Sequence, residues 1–277
     1  MEAGVLYVVA TPIGNLNDMV PRAVSVLKAV NVIAAEDTRH SKPLLAHFSV
    51  ETPMLSYHDH NEAAQASELI ARLQAGESVA LISDAGTPLI SDPGYRLVRA
   101  AMEAGIKVSP VPGACAMVAA LSVAGLPSDR FVFEGFLPAK SSQRVIRLKA
   151  LSTEVRTVVC YESPHRITDT VADMQQVLGD ERVVVLAREI TKTFETVKSA
   201  PLAEVAQWLA ADSNQRKGEM VLLISGYQPK QLELDAESKR VLTLLAKEMA
   251  PNQAASLAAK ITGVKKKQLY QWLLDNG

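Results

Sequence analysis

Short runs of apolar and β-branched residues recur along the chain and alternate with segments that have helical periodicity. The runs occupy residues 5–11, 30–36, 79–83, 108–111, 131–136, 156–161, 183–187 and 220–225. Segment 61–75, between two of them, carries one apolar stripe at helical spacing, formed by Ala66, Leu69, Ile70 and Leu73. Strands that alternate with helices favour an α/β architecture, and nearly continuous apolar strands are typical of sheets covered on both faces. The pattern therefore predicts helices packed on sheets in layers.

Two breaks in this alternation divide the chain. Residues 125–129 (Gly-Leu-Pro-Ser-Asp) end a helical pattern that begins near residue 114, and a second series of strands follows. After residue 226 the strands stop, and residues 227–230 are typical of a linker. We therefore predict an α/β domain over residues 1–125, a second α/β domain over 126–228 and a helical, helix-turn-helix-like module over 229–277.

The helical module is predicted from two apolar stripes on either side of Gly263. The first stripe consists of Ala254, Leu257, Ala258 and Ile261, and the second of Leu269, Trp272 and Leu273. Residues 253–277 contain four lysines and one aspartate, so this end of the chain is basic. The basic residues allow two interpretations, an RNA-contacting surface or a solvated helix face.

Composition limits the class of protein. The 277 residues are 48% apolar, enough to bury a core, and 29 Lys and Arg balance 30 Asp and Glu to a net charge of −1. Any contact with nucleic acid therefore requires a local basic patch. The two cysteines, Cys115 and Cys160, lack the spacing of a metal or redox site, which predicts a reducing compartment. With no signal-peptide pattern and no apolar stretch near the ~18 residues of a membrane span, we expect a cytoplasmic protein without membrane contact.

Turns that contain Gly and Pro follow three of the apolar runs. They occupy residues 11–15, 84–88 and 111–114. Ligands of open α/β sheets bind at the carboxyl ends of strands, where small residues let the backbone approach closely. The turns therefore predict one binding crevice, although a single such turn would equally mark the end of a strand. No dinucleotide fingerprint, P-loop or GxSxG elbow occurs, which argues against a nicotinamide dehydrogenase, an ordinary NTPase and a serine hydrolase.

Sequence blocks spread over nearly the whole chain resemble a known family. In order, they are LYVVATPIGNLND, VIAAEDTRHSKPLL, SYHDHNE, LISDAGTPLISDPG, VSPVPGACA, GFLP, YESPHR and AREITKTFE. They are similar to the blocks of the bacterial ribosomal RNA small subunit methyltransferase I family, within the tetrapyrrole-methylase superfamily of S-adenosylmethionine (SAM) enzymes. The resemblance implies methyl transfer from SAM to the ribose 2′-oxygen of a cytidine in the decoding region of 16S rRNA, free or in the small ribosomal subunit. It also implies a homodimer.

The resemblance implies where SAM binds. Two α/β domains of the tetrapyrrole-methylase type enclose SAM in the cleft between them, largely through main-chain contacts. The implied cofactor-binding positions are Pro12, Gly14, Asp84, Ala85, Gly86, Thr87, Pro88, Leu89, Ile90, Ser91, Ala114, Cys115, Ala116, Tyr161, Glu162, Ala187, Gly218, Glu219 and Met220. Since backbone groups would hold the cofactor, Asp84 and Asp92 are interpreted as residues that shape turns rather than as catalysts.

The chemistry of methyl transfer guides the choice of catalytic candidates. Transfer from a sulfonium carbon to a hydroxyl is an in-line displacement that requires the oxygen ~3 Å from the methyl group in a dry site. A base, or a cation that stabilises the developing alkoxide, would assist. We expect Lys192 in this role, since a desolvated lysine can lose its proton, with a solvated phosphate contact as the alternative. Glu36 and Arg39 are further candidates on the rim of the cleft, although their segment also fits a helix cap.

Histidine and basic residues near the turns are candidates for contact with RNA. His58 and His60 form a His-x-His segment that also suggests zinc, but no third histidine lies near, and we predict no metal. His165 and Arg166 follow a Ser-Pro pair at a helix start, where they fit a phosphate contact or a cap. The predicted RNA-binding residues are His58, His60, His165, Arg166, Arg188, Lys265, Lys266 and Lys267.

Two alternative functions remain open. The same fold would methylate a tetrapyrrole precursor, but relatives with that acceptor carry a GxGxGD-like first loop and a GDP-type third loop, whereas this chain has TPIGN and GTP. A non-catalytic nucleic-acid-binding protein is suggested by the helix pair of the tail. Near-neutral charge and two α/β domains argue against it.

Overall fold

The computed structural model describes residues 3–58, 62–228 and 234–276. The chain forms two compact units, Met1–Gly226 and Tyr227–Gly277. The first unit contains two five-stranded sheets, and the second contains helices. The predicted division near residue 125 thus falls between the two sheets of one compact unit.

The first sheet is entirely parallel. Its strands lie in the order β3-β2-β4-β1-β5 and are β1 (Val5–Val9), β2 (Val32–Ala35), β3 (Met54–Ser56), β4 (Val79–Ile82) and β5 (Lys107–Val111). The helices between and after them are α1 (Pro21–Ala29), α2 (Thr38–His47), α3 (Glu62–Gln74), α4 (Tyr95–Glu103) and α5 (Ala116–Val123). Because the carboxyl ends of parallel strands meet at one edge, the turns after β1, β4 and β5 emerge together.

Both faces of the first sheet are covered, as the apolar strands predict. On one face, Leu27 of α1 and Leu45 of α2 pack with Ile33 and Ile82 in one buried cluster. On the other, side chains of α3 and α4 pack with Leu6 and Leu81 in a second cluster. Consecutive residues of a strand point to opposite faces, so each strand contributes to both clusters.

The second sheet is mixed. Its order is β6-β7-β10-β8-β9, and the strands are β6 (Phe131–Phe136), β7 (Thr157–Glu162), β8 (Val183–Arg188), β9 (Thr196–Pro201) and β10 (Met220–Ile224). Strand β6 is parallel to β7, whereas β10 is antiparallel to both of its neighbours and β9 is antiparallel to β8. Helices α6 (Ser141–Leu151), α7 (Ile167–Leu178) and α8 (Leu202–Ala211) cover one face. Helix α5 packs on the other through Met117 and Ala120.

The second unit has its own small core. It consists of α9 (Ala236–Glu248), α10 (Pro251–Thr262) and α11 (Lys266–Asn276), with Gly263 in the left-handed conformation (φ 74°) after α10. The predicted stripe of α10 is only half buried: Ala254 and Ala258 have no exposed surface, whereas Leu257 and Ile261 are exposed. Small residues at the buried positions let the helices approach closely, so the larger side chains remain outside.

The α/β fold class and the helical tail are confirmed, but the strand prediction was incomplete. Strand β3 has only three residues, too few for a periodic pattern. Strand β9 has alternating burial and ends at Pro201 on a sheet edge, so it lacks the apolar run used to find the others.

Within the described ranges, no helix combines the length and apolar character that a bilayer crossing requires.

Candidate active site

Hydrogen bonds join the three Gly/Pro turns at the carboxyl edge of the first sheet. Thr11 and Gly86 exchange two backbone hydrogen bonds, with N···O distances of 2.8 and 3.1 Å. The Thr87 hydroxyl donates to the Ala114 carbonyl at 2.9 Å, which ties the turn after β4 to the turn after β5. The three turns predicted to line one crevice therefore form one continuous wall.

A cavity of about 220 Å³ lies between this wall and the second sheet. The first sheet and α5 contribute small and apolar residues from the three turns, and β6, β7, β10 and the segment after β8 supply the opposite side. Its lining consists of Ile13, Ala85, Gly86, Thr87, Ile90, Ser91, Asp92, Cys115, Ala116, Phe136, Tyr161, Glu162, Ile190, Glu219, Met220 and Val221. The cavity is thus bounded by both sheets of the first unit.

Many of the residues implied to bind SAM lie in this lining. They are Ala85, Gly86, Thr87, Ile90, Ser91, Cys115, Ala116, Tyr161, Glu162, Glu219 and Met220. The others implied by the resemblance, Pro12, Gly14, Asp84, Pro88, Leu89, Ala114, Ala187 and Gly218, are outside it. More than half of the implied positions therefore line the cavity.

Three of the residues outside the lining have contacts within the fold. Ala187 is completely buried in the cluster between α5 and the second sheet. The Asp84 carboxylate accepts a hydrogen bond from the Asp37 backbone at 3.1 Å and so links the turns after β4 and β2. Ala114 contributes its carbonyl to the link with Thr87.

Two of the outlying glycines lie under the segment that follows β8. A Cβ atom on Gly14 (φ 142°) would collide with the alkyl chain of Lys192. A Cβ atom on Gly218 (φ 87°) would collide with the Glu189 side chain. The lack of a side chain at Gly14 and Gly218 therefore leaves room for Lys192 and Glu189, and neither glycine borders the cavity.

Five lining residues were not predicted as cofactor contacts. They are Ile13, Asp92, Phe136, Ile190 and Val221. Ile13 and Val221 adjoin predicted positions, so their neighbourhood could have identified them. Phe136 and Ile190 lie within the blocks GFLP and AREITKTFE, which indicate the family but not which of their residues face the cavity. Asp92 was interpreted only as a turn residue.

Glu162, at the end of β7, is buried and accepts hydrogen bonds from several neighbouring groups. Its side chain has no exposed surface, and its carboxylate pairs with Arg166 at 2.7 Å. It also accepts from the Thr170 hydroxyl and the Ser163 backbone, both at 2.6 Å. A buried carboxylate needs such partners, so Glu162 fixes the turn from β7 into α7.

Tyr161 supplies an aromatic surface beside Glu162. Its hydroxyl accepts a hydrogen bond from the Met117 backbone at 3.2 Å, and its ring packs edge-to-face with Phe133 and Phe136. Burial, followed by the influence of Cys115, raises the pKa of Tyr161 well above its usual value. The phenol therefore remains protonated and acts as a fixed part of the wall.

Asp92 presents a carboxyl group to the cavity. Burial is the main reason that its pKa rises to about 6, and the negative charges of Glu36 and Asp84 raise it further, whereas a hydrogen bond with Ser83 opposes the rise. Leu89 and Ser91, just before it, have positive φ angles of 72° and 70°. The segment that precedes Asp92 thus has two residues in the left-handed conformation, and Asp92 itself lines the cavity.

Lys192 does not have the properties of a base. Its ammonium group lies 3.0 Å from carboxylate oxygens of both Glu189 and Glu219. Burial alone would lower the pKa of Lys192, but the hydrogen bonds and charges of Glu219 and Glu189 outweigh it and raise the pKa above its usual value. The raised pKa opposes the role of Lys192 as a base, whereas its alternative role, a cation that stabilises the developing alkoxide, stays a prediction.

Glu36 and Arg39 lie on the rim after β2. Glu36 accepts a hydrogen bond from the Asp84 backbone at 3.3 Å, so it joins the same turns as Asp84. The side chain of Arg39 is 90% exposed and pairs with Asp37, whose carboxylate caps α2. Asp37 is therefore the residue of this segment that caps the helix. Neither Glu36 nor Arg39 lines the cavity.

The predicted RNA contacts differ in their surroundings. Arg188 is 6% exposed, and its guanidinium donates to the carbonyls of Lys217 and Phe194, which leaves it inside the fold. Arg166 pairs with Glu162, whereas His165 is exposed. His58 follows β3 and is half-buried, and His60 lies outside the described residues.

In the second unit, Lys265, Lys266 and Lys267 are exposed at the start of α11. In the described part of the chain, no group of three or more His, Cys, Asp or Glu side chains could hold a metal ion.

The lining suits a methyl donor with a positive charge and an extended organic body. Asp92 and Glu219 place carboxyl groups at the cavity, and Ile13, Ile90 and Met220 supply apolar surface. Gly86 keeps the wall open, since a Cβ atom there would lie 3.2 Å from the side chain of Ile13. Carboxylates favour the ammonium and sulfonium groups of SAM, and apolar surface suits its uncharged parts. The residues present therefore fit SAM.

Comparisons with known proteins identify the family of this chain. A family model described as Tetrapyrrole (Corrin/Porphyrin) Methylases matches residues 5–206, and one described as RsmI C-terminal HTH domain matches residues 233–277. The chain is 59% identical to Ribosomal RNA small subunit methyltransferase I of Pseudomonas aeruginosa, over 99% of this chain and 98% of that protein. The protein of the same name from Escherichia coli O157:H7 is 55% identical, over 98% and 95%.

A solved structure shares the fold over most of the chain. Uroporphyrin-III-C-methyltransferase from Thermus thermophilus has a TM-score of 0.57 at 20% identity and covers 80% of this chain and 94% of its own. At this identity the likeness concerns the fold alone. The family model and the full-length relatives show that the chain belongs to the tetrapyrrole methylase family of SAM-dependent methyltransferases.

Proposed function

We propose that this protein transfers the methyl group of SAM to the ribose 2′-oxygen of a cytidine in the decoding region of 16S rRNA. The observation that carries the proposal is full-length similarity, at 59% and 55% identity, to relatives named Ribosomal RNA small subunit methyltransferase I. SAM would occupy the cavity between the two sheets, in contact with the wall of residues 85–92. The ribose must then reach the methyl group from the open side of the same cavity.

The second unit supports an RNA substrate. Lys265, Lys266 and Lys267 are exposed at the beginning of α11, and no acidic residue lies in its first turn. The positive end of the helix dipole disfavours cations there, so helix stability does not account for these lysines. A phosphate backbone would pair with them, as basic clusters do in nucleic-acid-binding modules.

The proposal is tested by methyl transfer from labelled SAM to small ribosomal subunits and to 16S rRNA prepared from a deletion strain. Mass spectrometry of the decoding-region fragment should show one 2′-O-methyl group that the deletion strain lacks. An unchanged fragment would contradict the proposed substrate. Methylation of a tetrapyrrole precursor instead would favour the other acceptor, and a failure to bind SAM in equilibrium dialysis would favour a non-catalytic protein.

The contribution of the three lysines to RNA binding is tested by changing Lys265, Lys266 and Lys267 together to Ala. RNA affinity should fall for all sequences, and the dependence of affinity on salt should weaken by about one unit of slope for each phosphate that is no longer neutralised. SAM binding should not change. The matched control is the same change at the exposed Lys28, Lys42 and Lys149, which should leave RNA binding as in the wild type.

We also propose that the protein acts in the cytoplasm as a homodimer. Val118 and Val123 of α5 are 54% and 56% exposed, an apolar surface that a second copy would cover. Changing both to Asp should give a monomer in light scattering, whereas Met102→Asp, at an exposed position on α4, should not. A monomeric wild type would contradict the dimer.

A further inference from the structure

Among the described residues, three carboxylates line the cavity, and Asp92 is the one whose oxygens are least engaged in hydrogen bonds and ion pairs that stabilise the fold. Glu162, also in the lining, is engaged by Arg166, Thr170 and the Ser163 backbone. Glu219 is 72% exposed and is paired with Lys192. Asp92, by contrast, is half-buried in the wall and has the hydroxyl of the buried Ser83 as its hydrogen-bonding partner.

We propose that Asp92 is the catalytic residue that accepts the proton of the ribose hydroxyl during methyl transfer, an inference that rests on the proposed function. The hydroxyl oxygen forms a bond to the methyl carbon while the carbon–sulfur bond of the sulfonium breaks, and the electron pair of that bond stays on sulfur. The hydroxyl proton passes to the Asp92 carboxylate. The products are a 2′-O-methyl ribose, a neutral thioether and a protonated carboxyl group.

The charge environment gives Asp92 a suitable basicity. Burial and the facing carboxylates of Glu36 and Asp84 place its pKa at about 6. At pH 7 to 8 the group is therefore mostly ionised, yet it is more basic than an ordinary aspartate and better matched to proton transfer near neutrality. Tyr161, whose own pKa is raised in part by the charge of Asp92, stays protonated.

The other titratable groups at the cavity do not fit the role. Lys192 is held in its charged form by Glu219 and Glu189. The hydroxyl of Tyr161 already accepts a hydrogen bond from the Met117 backbone, and its pKa is raised. Within the described lining, Asp92 is the carboxylate that combines exposure to the cavity with a raised pKa.

The decisive experiment measures the single-turnover rate of methyl transfer to 16S rRNA with Asp92→Asn, together with the dissociation constant of SAM. The variant should lose at least about 100-fold in rate at saturating SAM, as expected for removal of a general base, and this loss should exceed any weakening of SAM binding caused by the missing carboxylate. Asp92→Glu should recover part of the rate. The control is Asp129→Asn, at a side chain that is 78% exposed, which should transfer methyl groups at the wild-type rate.

The dependence of the rate on pH separates a catalytic from a structural role. The wild-type rate should fall below a midpoint of about pH 6, in line with the pKa of Asp92. Glu36→Gln removes one of the negative charges that raise this pKa, so the midpoint should move to lower pH. A wild-type midpoint that stays unchanged in Glu36→Gln would overturn the proposal.

The outcomes also separate the role of Asp92 from the proposed function. If the wild type methylates 16S rRNA and Asp92→Asn matches its rate, only the part assigned to Asp92 fails. If the wild type methylates no rRNA, the proposed function fails and the role of Asp92 with it. Thermal unfolding of each variant, at a midpoint close to that of the wild type, ensures that a loss of rate is not a loss of fold.

Discussion

The two walls of the cavity are held by different kinds of contact. The wall from the first sheet consists of turns joined largely through the main chain, as in the exchange between Thr11 and Gly86. The wall from the second sheet depends on ionised side chains, with Glu162 and Arg166 paired at 2.7 Å. A substitution in the first wall acts mainly by adding atoms where none fit, whereas one in the second acts by leaving a buried charge without its partner.

The largest effect is expected from Glu162→Ala in the second wall. The change leaves Arg166 and the fully buried Thr170 without their carboxylate, and the free energy of unfolding should fall by about 3 kcal/mol. Urea unfolding measures it. Glu181→Ala, at an exposed position, is the control and should change stability by less than about 0.5 kcal/mol. An equally small effect at Glu162 would show that the ion pair does not support the second wall.

Gly86→Val tests the first wall. The residue has φ 83°, and an added Cβ would lie 3.2 Å from Ile13, so we expect a loss of about 2 kcal/mol in stability and at least tenfold weaker SAM binding. Isothermal titration measures the binding. Gly105→Val is the matched control, because φ is 70° and no atom lies within 4 Å of its added Cβ. It should lose stability but keep its SAM affinity, and equal losses of affinity in both variants would contradict the steric explanation.

Thr87→Val removes the hydrogen bond from the side chain to the Ala114 carbonyl and should cost about 1 kcal/mol. Since the main-chain links between Thr11 and Gly86 remain, SAM affinity should fall less than in Gly86→Val. Thr243→Val on α9 removes a hydroxyl bonded within an exposed helix and should be nearly neutral. If urea unfolding shows a larger loss of stability for Thr87→Val than for Glu162→Ala, the contrast between the two walls is contradicted.

The smallest effect concerns Asp92 and depends on pH. Its pKa of about 6 in the folded protein exceeds the ordinary 3.8, so the folded state holds the proton more tightly and this contribution to stability disappears as pH rises from about 4 to about 6. Asp92→Asn should therefore be more stable than the wild type at pH 8 by less than about 1 kcal/mol, since solvent screens a half-exposed carboxyl. At pH 4 the difference should vanish. A constant difference in thermal midpoint across this range would contradict the raised pKa.

The sequence was sufficient to predict the parts of the site that depend on backbone shape. Apolar runs that end in Gly/Pro turns identified the edge where Thr11, Gly86 and Ala114 meet, because strand ends and turns leave local signals. The sequence blocks from LYVVATPIGNLND to AREITKTFE indicated the family, which the comparisons confirm.

Features that depend on distant contacts were not predictable from a local pattern. The raised pKa of Asp92 results mainly from its burial and, to a smaller extent, from the charges of Glu36 and Asp84, and Glu36 is distant from Asp92 in sequence. The charged state of Lys192 depends on Glu219, which follows in sequence only after β9 and α8. The burial of Ala254 in preference to Leu257 depends on how closely α10 approaches its neighbours. Each of these results from tertiary packing, about which neighbouring residues in the sequence carry little information.

The paired amides of Thr11 and Gly86 form an antiparallel bridge beside a sheet whose strands are all parallel. The bridge itself uses main-chain atoms, and the buried Thr11 hydroxyl reinforces it by donating to the Ser83 and Gly86 carbonyls at 3.3 and 3.4 Å. Position 86 requires a residue that accepts φ 83°. The Thermus thermophilus structure has the same fold at 20% identity, so the fold depends little on which side chains most positions carry. If SAM binds as proposed, a wall that is held largely through the main chain would keep its shape while side chains elsewhere in the chain change.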